Sequence, residues 1–95
     1  MIERHVSISV LPDKCGELER FFSEEYRPAM SAMPGFVRVE LLRQPDEPTQ
    51  YQMVIRFESA ETAAGWRASA THQALGPRIK ALYSASHLRV YEVIA

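Results

Sequence analysis

Three side chains that could support chemistry lie at one-turn spacing in the stretch GWRASATHQALGP, residues 65–77. Trp66, the only tryptophan of the chain, is followed by Ser69 and then His72. On a continuous helix these residues would stand on one side, a turn apart. Histidine titrates near neutral pH, so His72 could act as a general base. The other residues are mostly small and would leave room for a flat ligand beside Trp66. We predict that His72 and Trp66 are catalytic.

A purely structural role is the alternative for the same residues. His72 shares a helical stripe with apolar residues that should face a sheet, namely Ala68, Leu75, Ile79 and Leu82. It could therefore be a core histidine that donates a hydrogen bond to a carbonyl or to Ser69, while Trp66 only packs. If the site is functional, we expect four further residues to contact the ligand: Ser69, Phe22, Phe57 and Met53.

The remaining pattern predicts the elements that must position these residues. Strict alternation of apolar and polar residues indicates strands, and apolar residues at helical spacing indicate helices. Pro28 should bend or interrupt the first helix, and Gly76-Pro77 should break the second. The prediction is strand 2–11, helix 14–33, strand 36–44, a hairpin loop 45–50, strand 51–58, a helix from 59 to about 74, helix 77–84 and strand 87–94.

The order β-α-β-β-α-β predicts an α+β, ferredoxin-like sandwich, in which both helices cover one face of an antiparallel sheet. The other face would carry polar residues mixed with Leu42, Tyr91 and Val93. A surface that is partly polar and partly apolar is suited to a contact between two copies of the chain. We therefore expect a homodimer built from one domain over residues 1–95.

Composition excludes several classes of function. Eleven basic and twelve acidic residues give a net charge of −1, so nucleic acid is not an expected partner. The apolar runs are too short to span a bilayer, and the N-terminal residues do not resemble a signal peptide. One cysteine allows no internal disulfide, which is typical of a cytoplasmic protein. No metal or nucleotide motif is present, so we expect neither a metal nor another cofactor.

The strand order, the junction FES-AET at 57–62 and the W-x-x-S-x-x-H spacing of Trp66, Ser69 and His72 together resemble the antibiotic biosynthesis monooxygenase family. The resemblance covers essentially the whole chain. It implies a dimeric α+β barrel, in which two sheets pack face to face. It leaves the activity open, because similar proteins include cofactor-independent quinone-forming monooxygenases, haem-degrading enzymes, small isomerases and proteins of unknown role.

Haem degradation is disfavoured within that resemblance. The haem-degrading relatives use an asparagine on the first strand, the helix tryptophan and a haem-ligand histidine about ten residues later. This chain contains no asparagine, and Gly76 stands ten residues after Trp66. Only the tryptophan matches, unless His72, one turn earlier, were the ligand.

The resemblance favours oxidation of a small electron-rich aromatic molecule by O₂ without a cofactor. Phenols, hydroquinones and anthrone-like rings become carbanion-like when they lose a proton, and that anion can pass an electron to O₂ directly. The protein must then supply a base, for which we predict His72, and a dry, oriented cavity. The alternatives are a non-oxidative isomerase or cyclase of the same fold, and a protein that only binds a hydrophobic metabolite.

Overall fold

The computed structural model describes residues 1–95 and confirms the α+β, ferredoxin-like fold. Its four strands form one antiparallel sheet in the order β2-β3-β1-β4. The elements are β1 (Ile2–Val10), a 3₁₀ turn (Pro12–Lys14), α1 (Cys15–Phe21), a π-helical turn (Phe22–Tyr26), α2 (Arg27–Ser31), β2 (Phe36–Gln44), β3 (Glu47–Phe57), α3 (Ala60–Ala68), α4 (Ala70–Lys80) and β4 (Tyr83–Glu92).

Alternate residues of the central strand β1 face the two sides of the sheet, which have different surroundings. The strand pairs with both β3 and β4, and its even-numbered apolar residues join the core, as the alternation predicts. Ile8 and Val10 are buried beneath the helices, whereas Ser7 is exposed on the opposite face. The helices thus cover one face of the sheet, called here the covered face, and leave the other, the open face, without a layer. No helix in the structure has the length and apolarity needed to cross a membrane.

The helical region 14–33 is interrupted just before Pro28, in agreement with the prediction that this proline would bend or interrupt the helix. It contains a π-helical turn, in which the N–H of Arg27 donates to the carbonyl of Phe22, five residues earlier. Pro28 follows at once in α2, where it has no N–H to donate and its ring would press on the carbonyl of Glu24. A wider turn before the proline relieves that crowding.

The second helical region breaks at a different place from the predicted one. Ser69 has extended backbone angles, φ −68° and ψ 148°, which end α3 and begin α4. The predicted break at Gly76-Pro77 and the separate helix 77–84 are wrong, because α4 continues through Pro77 to Lys80. β4 consequently starts at Tyr83 and not at residue 87. The predicted hairpin loop 45–50 is likewise shorter, since β3 already begins at Glu47.

The start of α3 is fixed by a capping box between Ser59 and Thr62. The Ser59 hydroxyl accepts from the N–H of Thr62, and the Thr62 hydroxyl accepts from the N–H of Ser59. Gly35 lies against this turn with a φ of +78°, and a Cβ there would lie 2.5 Å from Thr62. Glycine is therefore required at this point, where the turn into β2 meets the first turn of α3.

Candidate functional site

The backbone break at Ser69 brings Trp66 and His72 together. The Ser69 hydroxyl donates to the carbonyl of Trp66 at 2.7 Å and accepts from the N–H of His72 at 3.1 Å. Ser69 thereby closes α3 and caps α4 at the same time. The rings of Trp66 and His72 meet edge to face, with centroids 5.0 Å apart and an interplanar angle of 76°. Ser69 is therefore a junction between two helices, and not a member of one continuous helical stripe.

A cavity of about 510 Å³ lies beside these two rings, between the helices and the covered face of the sheet. The sheet supplies mostly apolar residues to it, namely Val6, Ile8, Met53, Ile55 and Leu88. The cavity is open on one side, and its β4 residue Leu88 is 43% exposed. Gly76 also lines the cavity, and a Cβ placed on it would meet no atom within 4 Å. A flat molecule of a few rings could enter such a space.

Trp66 and Tyr26 form a rigid aromatic wall of the cavity. They are only 2% and 5% exposed, and their rings meet at 85° with centroids 5.6 Å apart. Burial raises the pKa of Tyr26 to about 12, against smaller opposing effects of the Trp66 indole and the charge of Arg4. The Tyr26 hydroxyl is therefore protonated at neutral pH and available as a hydrogen-bond donor.

His72 is half-buried on the same cavity. Burial lowers the pKa of its imidazole, and the positive charges of Arg4, Arg67 and Lys80 lower it further, while the backbone carbonyl of Arg67 opposes the shift. Because the unperturbed value is already below 7, the imidazole is mainly neutral at neutral pH. His72 can thus accept a proton from a ligand in the cavity.

Arg4 is a site residue that the sequence analysis missed. It lines the cavity together with Arg67 and Lys80, and no aspartate or glutamate lines it. The signal was present, because Arg4 falls between Ile2 and Val6 on the face of β1 that turns towards the helices. A charged residue on an otherwise apolar face is an informative exception to the alternation.

The predicted ligand contacts divide into two groups. Met53 lines the cavity, as do Trp66 and His72. Ser69, Phe22 and Phe57 do not line it. Phe57 packs edge to face on Phe36, with centroids 6.0 Å apart. Phe22 lies 6.2 Å from Tyr26 and under the guanidinium of Arg27. Helical and strand periodicity place both phenylalanines in the core, but do not show which core residues border a cavity.

The structure contains no group of three histidine, cysteine, aspartate or glutamate side chains that could hold a metal ion. His5 on the open face, for example, bonds through Nε2 to the Glu3 carboxylate at 2.8 Å.

Comparison with known proteins agrees with the resemblance seen in the sequence. The model of the antibiotic biosynthesis monooxygenase family matches residues 1–77, which include Trp66, Ser69, His72 and most of α4. The chain belongs to the antibiotic biosynthesis monooxygenase family. No curated protein sequence matches the chain.

Solved structures of similar proteins share the family fold. SnoaB, a cofactor-independent oxygenase from Streptomyces nogalater, superposes with a TM-score of 0.88 at 19% identity, over 99% of this chain and 93% of that one. A candidate antibiotic biosynthesis monooxygenase from Nitrosomonas europaea gives a TM-score of 0.87 at 18% identity over the whole of both chains. Protein SO0527 from Shewanella oneidensis gives 0.82 at 21%, over 95% of this chain and 87% of the other. At these identities the likeness establishes the fold.

Proposed function

We propose that this protein is a cofactor-independent monooxygenase that oxidises a small electron-rich aromatic molecule, such as a phenol, a hydroquinone or an anthrone. The single observation that carries the proposal is the cavity of about 510 Å³ in which a neutral His72 stands at the edge of Trp66. Membership of the monooxygenase family and the likeness to a cofactor-independent oxygenase support an oxidative reaction.

The chemistry can be written for an anthrone, whose reacting carbon is a CH₂ group between two rings. His72 takes one proton from that carbon, and the resulting carbanion gives one electron to O₂. The substrate radical and superoxide then combine to form a C–O bond, and the proton on His72 passes to the outer oxygen. Loss of water breaks the O–O bond and removes the second hydrogen, leaving a quinone carbonyl. One oxygen atom of O₂ enters the product and the other enters water.

Each residue of the site would have a limited role in this reaction. His72 moves the proton, which is the step that general-base catalysis accelerates. Trp66 and Tyr26 hold the ring in one orientation, because both are packed too tightly to move aside. The apolar sheet residues exclude water from the anion and from superoxide. Met53 lines the sheet side of the cavity, and its unbranched side chain has more rotamers than the aromatic rings beside it.

We also propose that the open face pairs with the open face of a second copy to form a homodimer. Val54 is buried there even in a single chain, and Leu42 and Tyr91 are about half exposed among charged residues. Light scattering after size exclusion should give twice the mass of one chain at micromolar concentration. A monomer under these conditions would exclude the dimeric barrel.

Oxygen uptake tests the proposed reaction directly. In buffer treated to remove metals, the protein should accelerate O₂ consumption by an anthrone or a dihydroquinone above the spontaneous rate. With ¹⁸O₂, mass spectrometry should find one labelled oxygen atom in the anthraquinone formed from anthrone. No acceleration with any compound of such a panel would refute the oxidase assignment.

Two other outcomes would identify the alternative functions. Exchange of substrate hydrogen with deuterium from the solvent, without O₂ consumption, would indicate an isomerase or cyclase. Tight ligand binding without exchange or oxidation would indicate a binding protein.

A further inference from the structure

Arg4 is a charged residue without a protein partner in a partly buried position. It projects from the covered face of β1 into the cavity and makes neither a hydrogen bond nor an ion pair with another side chain or with the backbone. Four other arginines pair with carboxylates, namely Arg38, Arg43, Arg56 and Arg78. The remaining four, which make no ion pair, are all exposed to solvent: Arg20, Arg27, Arg67 and Arg89. A guanidinium that gives up hydration without gaining a partner destabilises the fold, unless a bound group restores its hydrogen bonds.

The surroundings of Arg4 favour an anion as that group. Burial and the charge of Arg67 lower the pKa of Arg4, but a guanidinium remains protonated at neutral pH. Arg67 and Lys80 are exposed at the rim of the cavity, and no carboxylate lines the cavity to neutralise the three cations. The field inside is therefore positive, which attracts an anion from solvent and stabilises it once bound.

The donor and its surroundings together indicate which anion fits. A single guanidinium presents its N–H groups in a planar fork, which can bind two oxygens of a carboxylate or of a phosphate. Arg67 and Lys80 lie at the exposed rim, and the inner lining around Arg4 is mostly apolar and aromatic, which matches a flat ring system and not a second anionic group.

We infer that the cavity takes an aromatic carboxylate, with its carboxylate group held by the Arg4 guanidinium and its rings against Trp66. The inference names the substrate class of the proposed oxidation and rests on that proposal for the identity of the site. Arg4 is then the residue that selects acidic ring compounds over neutral ones, while Arg67 and Lys80 attract them to the opening.

Calorimetric titration with three ligands of one ring system tests this selection. The full-length protein should bind 2-naphthoate about 10- to 100-fold more tightly than the neutral 2-naphthamide, as expected for a charge-assisted pair of hydrogen bonds. It should also bind 2-naphthoate more tightly than 2-naphthyl phosphate, because the phosphate dianion would carry a second negative charge and a third oxygen into the apolar inner part of the cavity, where Arg4 is the only cation. Equal affinity for the acid and the amide would overturn the inference, and so would a preference for the phosphate.

Three variants separate the role of Arg4 from a general effect of charge. Arg4→Gln should remove the preference for the acid, and Arg4→Lys should keep part of it, because it retains the charge but loses the fork. The matched control is Arg20→Gln, which removes the same charge from the exposed surface of α1. Loss of the preference in the control, or its survival in Arg4→Gln, would contradict the assignment. Since Arg4 has no partner, Arg4→Gln should melt no lower than the unmodified chain.

A kinetic comparison distinguishes this inference from the proposed reaction. Anthrone-2-carboxylate should show a lower KM than anthrone at similar kcat, and Arg4→Gln should remove the difference in KM. If naphthoate binding depends on Arg4 but neither anthrone is oxidised, the reaction is wrong and the ligand class stands. If both anthrones are oxidised with the same KM, the ligand class is wrong and the reaction stands.

Discussion

Two arginines on neighbouring central strands face opposite sides of the sheet and have opposite surroundings. Arg4 of β1 lies opposite Ile55 of β3, so Arg56, one residue further, points to the other face. On the open face, Arg56 donates to the Glu3 carboxylate through Nε at 2.7 Å and Nη2 at 2.5 Å. On the covered face, Arg4 has no such partner.

The comparison shows how the position of a carboxylate decides what an arginine can do. The Glu3 carboxylate accepts hydrogen bonds from His5 and Arg56, and the guanidinium of Arg38 lies 3.7 Å from it. These hydrogen bonds, first that of His5 and then that of Arg56, lower the pKa of Glu3. Around Glu3, the charges of the open face thus pair within the chain, whereas Arg4 in the cavity stays available for a ligand.

The largest expected effect concerns the histidines on the two faces. If the cavity carries out the reaction, His72→Gln should lower kcat/KM for anthrone oxidation about 10²- to 10⁴-fold, the range of general-base catalysis. His5→Gln is the matched control, because it removes a histidine from β1 on the open face. Oxygen-electrode kinetics would measure both variants. Similar rates for His72→Gln and the unmodified protein would show that His72 is structural.

Arg4 can be made to resemble Arg56 by a carboxylate placed opposite it. Val90 pairs with Arg4 in the β1–β4 register and is 53% exposed, so Val90→Glu would put a carboxylate within cross-strand reach of the guanidinium. Binding of 2-naphthoate should weaken about 10-fold or more, because the new carboxylate competes for the same donor. Val90→Gln has nearly the same shape without the charge and should bind normally. Unchanged binding by Val90→Glu in calorimetry would mean that Arg4 does not hold the ligand.

The pH dependence of the reaction should reflect the cations that face His72. Arg4 from β1, Arg67 from α3 and Lys80 on α4 all lower its pKa, and the protonated Tyr26 adds no charge. Since the neutral imidazole is the active form, log kcat/KM should be flat near pH 7 and fall only below 6.5, with a slope of one.

Removing one of these cations tests the direction in which they shift the pKa of His72. Lys80→Gln should move the midpoint of the acid limb to higher pH, because a positive charge near the imidazole is lost. Rate profiles of the two proteins between pH 5 and 8 would measure the change. A midpoint above 6.5 in the unmodified protein, or a shift to lower pH in Lys80→Gln, would contradict the electrostatics described for the cavity.

Much of the fold could be predicted from the sequence because it depends on local alternation. The period-two pattern of β1 assigns Ile8 to the core and Ser7 to the open face, and the capping box at Ser59 begins α3. These features depend on side chains near one another in sequence. The element order, the junction at 57–62 and the W-x-x-S-x-x-H spacing together predicted the family, which the family model confirms over residues 1–77.

The helix break and the cavity could not be predicted in the same way. Gly76-Pro77 carries the stronger local signal for a break, but α4 continues through it and the chain turns at Ser69. The Ser69 hydroxyl bonds to both helix ends at that turn, and Leu75 and Ile79 of α4 are buried in the core. Capping and packing together outweigh the local signal at Pro77. A cavity is a volume that no side chain fills, and therefore depends on distant residues such as Leu88 and Tyr26 together. Arg4 differs from these, because a charged residue between Ile2 and Val6 is visible in the alternation of β1 itself.

The smallest expected effect concerns stability, and it tests both arginines at once. Glu3→Gln leaves Arg56 with a weaker acceptor, and should lower the free energy of unfolding by about 1 kcal/mol at neutral pH, since the network is only partly shielded from solvent. Arg4→Gln removes an unpartnered charge and should leave the free energy of unfolding unchanged or raise it. Urea unfolding at pH 7 would compare the two variants.

The sign of the pH effect distinguishes the Glu3 network from simple side-chain packing. The folded-state pKa of Glu3 is lowered from 4.5, so its contribution to stability is present above that value and disappears as the pH falls through the folded pKa. The difference between Glu3→Gln and the unmodified chain should therefore shrink between pH 7 and pH 3. A difference that persists in acid would assign the loss to packing. A loss in Arg4→Gln equal to that in Glu3→Gln would mean that Arg4, like Arg56, serves the fold.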